Sequence, residues 1–142
     1  MAGFIHRRQL TIEWGYCDPA GIVFNSRFFE IFDGGTWALL EAVLGVPKHE
    51  LAAVFGIVGV PLVDARARFI APVKFGDVVV LESQVSAFRR SSFDVEHRVL
   101  AGGALAAQGS ETRVWAVWDK NDPARLKSKP LPAEVTARLR GD

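Results

Sequence analysis

Phe28, Ile31, Phe32, Leu39, Leu40 and Val43 recur at spacings of three and four across residues 26–44, and few positions between them are polar. That period predicts a helix. A helix with so little polar surface is expected to be buried on most sides, so other parts of the chain must wrap around it. Asn25 or Ser26 can cap its start, and Gly45-Val46-Pro47 ends it. Gly34-Gly35 in mid-helix costs about 1 kcal/mol per glycine against alanine, which predicts close packing of another element at that point.

The flanking sequence supplies the wrapping. Leu10, Ile12 and Trp14 alternate with Thr11 and Glu13, which predicts a half-buried strand over residues 9–16. Beyond residue 60 the period is two: Val63, Ala65, Ala67 and Phe69 share one face, and Asp64, Arg66 and Arg68 the other. Val78-Val79-Val80 opens a strand to residue 88, and Phe93, Val95, His97 and Val99 alternate with Asp94, Glu96 and Arg98 in the next. Gly102-Gly103 signals a hairpin turn. The last strand, 104–118, is apolar on both faces near its end and is expected to be central. Pro130 and Pro132 precede a short helix over 133–140. The order predicts an α+β fold, a single domain over 1–142 with one long helix wrapped by an antiparallel sheet. Such a sheet leaves edges exposed, so pairing with a second copy is expected.

Composition removes several functions. Lys plus Arg is 17 and Asp plus Glu is 16, a formal net charge of +1. That balance gives no field to hold a nucleic-acid backbone. The single cysteine, Cys17, excludes a disulfide framework and a cysteine-based zinc site. No apolar stretch is long enough to span a bilayer, and no apolar run follows Arg7-Arg8, so a cytoplasmic protein is expected.

The run Cys17-Asp18-Pro19-Ala20-Gly21-Ile22-Val23-Phe24-Asn25 places a carboxylate on a tight turn, seven residues before a helix start. Free N–H groups at a helix start favour a developing oxyanion, and a carboxylate beside them can act on an acyl carbon as nucleophile or general base. Equally, Asp18 can serve only its own loop through an Asx-turn. Arg89-Arg90-Ser91-Ser92 forms a basic corner between two strands, and Arg125, Lys127 and Lys129 alternate along an extended segment. Such clusters either hold phosphate groups or are solvated. Phe29, Asp33 and Trp37 line one strip of the helix, and a carboxylate there needs a partner from a strand, a second subunit or a ligand. His97 on an apolar strand face is expected to be a satisfied core or interface residue. Cys17 is expected to be a packed thiol, and the four tryptophans core and interface residues.

The run from Glu13 to Val23 resembles the active-site loop of the 4-hydroxybenzoyl-CoA thioesterases of the hot-dog fold. The resemblance continues in Gly56-Ile57-Val58-Gly59, Arg89-Arg90-Ser91-Ser92-Phe93 and Arg113-Val114-Trp115-Ala116. It implies that Asp18 is the catalytic carboxylate and that the Asn25 N–H polarises the thioester carbonyl. It also implies that Phe24 and Asp33 face the acyl group, with Asp33 accepting the phenol proton of a hydroxyaryl substrate. Arg89, Arg90, Ser91, Arg125 and Lys127 would hold the phosphates of coenzyme A. The family pattern carries two large aromatic residues where this chain has Phe24-Asn25, but a backbone N–H survives the change. The function implied is hydrolysis of an aromatic acyl-CoA, 4-hydroxybenzoyl first, by a dimer at minimum and a tetramer by expectation, with no metal or cofactor. An aliphatic acyl-CoA thioesterase and a non-catalytic acyl-CoA-binding protein are the alternatives.

Overall fold

A computed structural model describes residues 3–141. Strand β1 (Ile5–Thr11) passes through one 3-10 turn (Trp14–Tyr16) and a loop into helix α1 (Asn25–Leu44). A short helix α2 (Leu51–Phe55) follows, then β2 (Leu62–Phe69), β3 (Val78–Phe88), β4 (Ser92–Ala101) and β5 (Ala104–Val114). A ribbon of β6 (Ala116–Trp118) and β7 (Leu126–Ser128) and helix α3 (Ala133–Arg140) complete the chain. The main sheet runs β1-β3-β4-β5-β2 with every neighbouring pair antiparallel. Helix α1 lies across it in contact with β1, β2, β3 and β4, the expected α+β arrangement.

Two apolar clusters hold helix and sheet together. The first half of α1 gives Phe28, Ile31 and Phe32 to a cluster with Ile12, Val79, Leu81 and Val99. The second half gives Leu39, Leu40 and Leu44 to one with Val85, Phe93, Val95, Trp115, and Val135 and Leu139 of α3. Each such side chain contributes about 1.5–3 kcal/mol on burial. The glycine pair sits where the helix packs closely against β1 and β3. A Cβ on Gly35 would lie 2.6 Å from Ser83 Oγ and 2.8 Å from Leu81 Cδ2, and one on Gly34 would lie 2.8 Å from Arg8 Nη2. At Gly35 the helix-propensity cost is offset by packing against buried strand side chains that leave no room for a larger residue, whereas at Gly34 the neighbour is the end of the Arg8 side chain, which can shift.

The strand from Val78, the hairpin at Gly102-Gly103 and the C-terminal helix stand where the sequence places them. Gly102 and Gly103 both have positive φ, at 59° and 81°, as a two-residue hairpin turn requires.

Four expectations need correction. The first strand begins earlier and stops at Thr11, because the face turned to the helix continues backward through Arg8 and His6, which carry no apolar signal. Helix α1 starts at Asn25 with Phe24 as its N-cap and no side-chain cap, so neither Asn25 nor Ser26 plays that part. The helix is not buried on most sides: the sheet covers one face, and Phe29 on the other stays 38 % exposed. The last strand breaks at Trp115, whose side chain enters the core while its N–H donates to Ser91 O and its carbonyl accepts from Lys129 N. Beyond it β6 takes a different partner, β7. Of the tryptophans, Trp115 is core and Trp37 packs at its margin, but Trp14 and Trp118 are exposed.

Candidate active site

The loop between β1 and α1 is pinned at several points. Asp18-Pro19-Ala20-Gly21 closes a β-turn in which Gly21 N donates to Asp18 O at 2.9 Å, with proline at the position whose φ it presets. Asp18 N donates to Ile22 O, and Cys17 and Val23 form an antiparallel bridge. The far side is tied to residues 73–75: Val23 N donates to Val73 O, and Phe75 N donates to Gly21 O, where Gly21 has φ +79°. A larger residue at Gly21 would strain that link. The Asp18 backbone is therefore held by the fold.

The Asx-turn is present, with Ala20 N donating to Asp18 Oδ1 at 2.9 Å. It uses one carboxylate oxygen. Among the described residues Oδ2 has no hydrogen-bond partner, and Asp18 lines an open cleft of about 430 Å³. Asn25, the first residue of α1, lines the same cleft. The first N–H groups of a helix lack intrahelical acceptors, and they carry the positive end of the helix dipole. The remaining wall is apolar: Phe24 and Phe28 from the helix side, Phe69 at the end of β2, and Ile70, Ala71 and Pro72 just after it. Phe28 and Phe69 stand 5.3 Å apart between ring centroids. The sequence singled out Asp18, Phe24 and Asn25 and missed the 69–72 wall, whose one signal is an apolar run ending at a proline.

The cation clusters divide differently from expectation. A groove of about 730 Å³ is lined by Arg90, Lys120, Lys127 and Lys129, with Gly56 and the chain about Trp118. Arg90 and Lys127 therefore meet, as the alternation of the segment allows, and Lys120 joins them across the β6–β7 ribbon. Arg89 turns away, with Nη2 2.5 Å from Asp94 Oδ1 and Nε donating to Ser92 Oγ at 2.8 Å. That hydrogen bond from Arg89, ahead of one from Thr112, holds the Asp94 carboxyl below its usual range. Ser91 and Arg125 do not line the groove. The groove and the Asp18 cleft have no lining residue in common.

A family model described as the thioesterase-like superfamily matches residues 12–139. The chain belongs to that superfamily. A 4-hydroxybenzoyl-CoA thioesterase of Pseudomonas sp. (strain CBS-3) is 33% identical over 131 residues, covering 89% of this chain and 91% of that protein. A mutant 4-hydroxybenzoyl CoA thioesterase solved in complex with 4-hydroxybenzoyl CoA is 30% identical, with a TM-score of 0.85 over 95% of this chain and 98% of that one. A solved gentisyl-coenzyme A thioesterase is also 30% identical, with a TM-score of 0.80 over 92% and 99%. The wrapped helix is thus the hot-dog fold.

Within this thioesterase-like chain Asp33 does not line the Asp18 cleft. Its partner comes from a neighbouring strand: Arg113 Nη2, on β5, lies 2.7 Å from Asp33 Oδ1. Arg113 also reaches Glu111 through Nη2 at 2.8 Å and Nε at 3.3 Å, and Val60 O through Nη1 at 3.2 Å. Glu111 Oε1 further accepts from Thr36 Oγ1 and, at 3.0 Å, from His97 Nε2. His97 Nδ1 meets Ser83 Oγ at 2.8 Å. With an acceptor-only carboxylate at Nε2, that nitrogen carries a proton, and Nδ1 shares its hydrogen bond with the Ser83 hydroxyl, which can serve as donor or acceptor. His97 is the satisfied core residue the sequence predicts, and it stacks on Phe32 at 5.2 Å.

Burial alone would raise the Glu111 pKa, but hydrogen bonds from His97, Arg113 and Thr36 outweigh it and hold the group at about 2, against an ordinary 4.5. Burial likewise works against the Arg113 charge, and the bonds to Glu111 and Asp33 raise its pKa above the ordinary value. A carboxylate with a depressed native pKa contributes stability that is complete above its unfolded pKa and is lost as pH falls through the native one. The urea midpoint should therefore fall between pH 4.5 and 2, and Glu111→Gln should flatten that part of the profile. An unchanged acid limb in the variant would show that Glu111 does not carry it.

Proposed function

We propose that this protein hydrolyses an aromatic acyl-CoA thioester to the free acid and coenzyme A, with 4-hydroxybenzoyl-CoA the first candidate. The observation that carries the reading is the pairing of Asp18 with the start of α1 in one apolar cleft. The acyl carbonyl would sit against the Asn25 N–H, where charge developing on oxygen is stabilised by the helix end. Asp18 Oδ2 would then attack the carbonyl carbon or take a proton from the attacking water. In either route the thiolate of coenzyme A leaves; the acid gains its new oxygen from water directly, or from Asp18 when water attacks the aspartyl carbon of an acyl-aspartyl intermediate and so restores the carboxylate. Relatives at 30–33% identity named for 4-hydroxybenzoyl and gentisyl thioesters support a hydroxylated aromatic ring. Phe24, Phe28 and Phe69 supply apolar wall for it. A hydrolysis screen across aromatic and aliphatic acyl-CoAs, read by free thiol, tests the proposal; faster turnover of an aliphatic thioester would overturn the aromatic reading.

The nucleotide end of coenzyme A is assigned to the groove of Arg90, Lys120, Lys127 and Lys129. Phosphates far from the reacting carbon bind alike in ground and transition states, so Arg90→Ala and Lys127→Ala should raise KM and leave kcat nearly unchanged. Arg89→Ala should do less, because its guanidinium is already committed to Asp94. Pantetheine thioesters, which lack the nucleotide phosphates, should be indifferent to all three changes. Equal losses on both substrate types would return these residues to a structural role.

The functional unit is proposed to be an oligomer, a dimer at minimum and a tetramer by extension. Strands β1 and β2 are edges of the sheet, the strip of α1 bearing Phe29 is uncovered, and Asp33 lies outside the cleft of its own chain. A second copy would cover the strip and bring Asp33 to a neighbouring acyl site. Light scattering at micromolar concentration should return at least a dimer, and a monomer would contradict the shared site. Its acyl-CoA substrate would place it in the cytoplasm.

A further inference from the structure

Arg113 is a buried cation that the proposed chemistry does not use. Four of its five N–H donors are spent on Glu111, Val60 O and Asp33, so it has little left to offer a phosphate or a carbonyl. What it does is hold Asp33. The Arg113 side chain is 4 % exposed and the Asp33 side chain is 47 % exposed, so the ion pair runs from the core to the uncovered strip of α1. Behind Arg113, Glu111 is fixed in turn by Thr36 and His97, and His97 by Ser83. Every link is between rigid elements: Ser83 on β3, His97 on β4, Glu111 and Arg113 on β5, Thr36 and Asp33 on α1.

The charges along this chain do not cancel. Arg113 is engaged by two carboxylates, Glu111 inside and Asp33 outside. Glu111 accepts at both oxygens, whereas Asp33 accepts at Oδ1 alone among the described residues. The second oxygen of Asp33 is thus presented at a fixed place with acceptor capacity unfilled. A carboxylate on a free side chain would lose rotamer entropy on meeting a ligand hydroxyl, whereas one held by the Nη2 arm of a guanidinium fork that Glu111 already fixes has lost part of it.

We propose that Arg113 is a positioning residue for acyl-group selection, aiming the free oxygen of Asp33 so that ring-hydroxylated acyl groups are preferred over the unsubstituted ring. This rests on the aromatic reading above, in which Asp33 faces the acyl group of a neighbouring copy. A site arranged around a ligand hydroxyl is left with an unpaired acceptor when that hydroxyl is missing, which is the strong form of discrimination.

The readout is the ratio of kcat/KM for 4-hydroxybenzoyl-CoA to that for benzoyl-CoA, which a loss of folded protein does not move. It is measured in the wild type and in Asp33→Ala, Asp33→Glu and Arg113→Lys. The wild type should prefer the hydroxylated ring at least tenfold, and Asp33→Ala should abolish the preference. Arg113→Lys keeps one positive charge but not the fork, and it should lower the ratio more than threefold. Asp33→Glu keeps the carboxylate but carries it one methylene away from the fork, and it should do the same on a half-exposed side chain that leaves the core intact. If the wild type shows no preference, the inference is overturned, while the aromatic reading stands or falls separately on the screen against aliphatic thioesters. If the wild type and Asp33→Ala behave as expected while either Arg113→Lys or Asp33→Glu keeps the ratio within threefold, the inference alone is overturned. Should Arg113→Lys not fold, Asp33→Glu decides.

Discussion

Asp18→Asn should lower kcat by at least about a hundredfold, a loss of roughly 2.7 kcal/mol of transition-state stabilisation, with KM for acyl-CoA nearly unchanged. The geometry makes this a clean substitution. The side-chain oxygen of asparagine can still accept from Ala20 N, so the turn that now uses Asp18 Oδ1 survives. The loop also keeps its backbone ties to Ile22, Val73 and Phe75, none of which involves the Asp18 side chain. Only the anionic oxygen facing the cleft is lost, and with it the capacity to attack a carbonyl or take a proton. Turnover above a tenth of the wild-type value would remove Asp18 from the chemistry and leave it the Asx-turn alone. In a single turnover in oxygen-18 water, label recovered in the Asp18 carboxyl would mark the route through an acyl-aspartyl intermediate.

Arg113→Met should cost about 3–5 kcal/mol of folding stability, because it leaves the Glu111 carboxylate buried without its cation. Glu111 is 2 % exposed, so water cannot replace the guanidinium. The hydrogen bonds from Thr36 and His97 remain but do not replace the two guanidinium contacts to Glu111. The double change Glu111→Met with Arg113→Met removes both ions and should be more stable than Arg113→Met alone, since a buried ion pair replaced by apolar groups of similar volume is often near neutral. Urea unfolding of the three proteins measures both statements. A single mutant that loses less than about 1 kcal/mol, or a double mutant less stable than the single, would show that the pair is not a closed unit.

Much of the fold is legible in the chain because its elements state their own periods. The three-and-four spacing from Phe28 to Val43, the β-branched run that opens β3 and the alternation through β4 are local signals, and the structure keeps them. The first strand is the instructive exception. Its inward positions, His6 and Arg8, are polar residues lying beside the helix, and alternation of apolar residues cannot reveal them. The break at Trp115 is equally silent, since the chain stays extended and changes only its hydrogen-bond partners. In the candidate site, Asp18 and the start of α1 are seven residues apart and readable together, whereas the Phe69–Pro72 wall arrives from a distant segment. Glu111 and Arg113 do leave a trace: they follow Ala107 and Gly109 at a spacing of two, charged residues on a buried strand face.

By itself, then, the sequence determined the long helix, the five strands of the main sheet in their chain order, the C-terminal helix, the turn carrying Asp18 and the close packing at Gly34-Gly35. These depend on neighbours along the chain, where backbone periodicity and turn chemistry act. The tertiary structure alone decided which cations meet in the groove, why Arg89 is not one of them, and that Asp33 is paired with Arg113. Those outcomes depend on sheet register and on the sheet's alignment against α1: Arg113 meets Asp33 across 80 positions of sequence. A contact of that kind has no local signature, because its free energy is realised only when β5 and the helix are already docked and water is excluded between them.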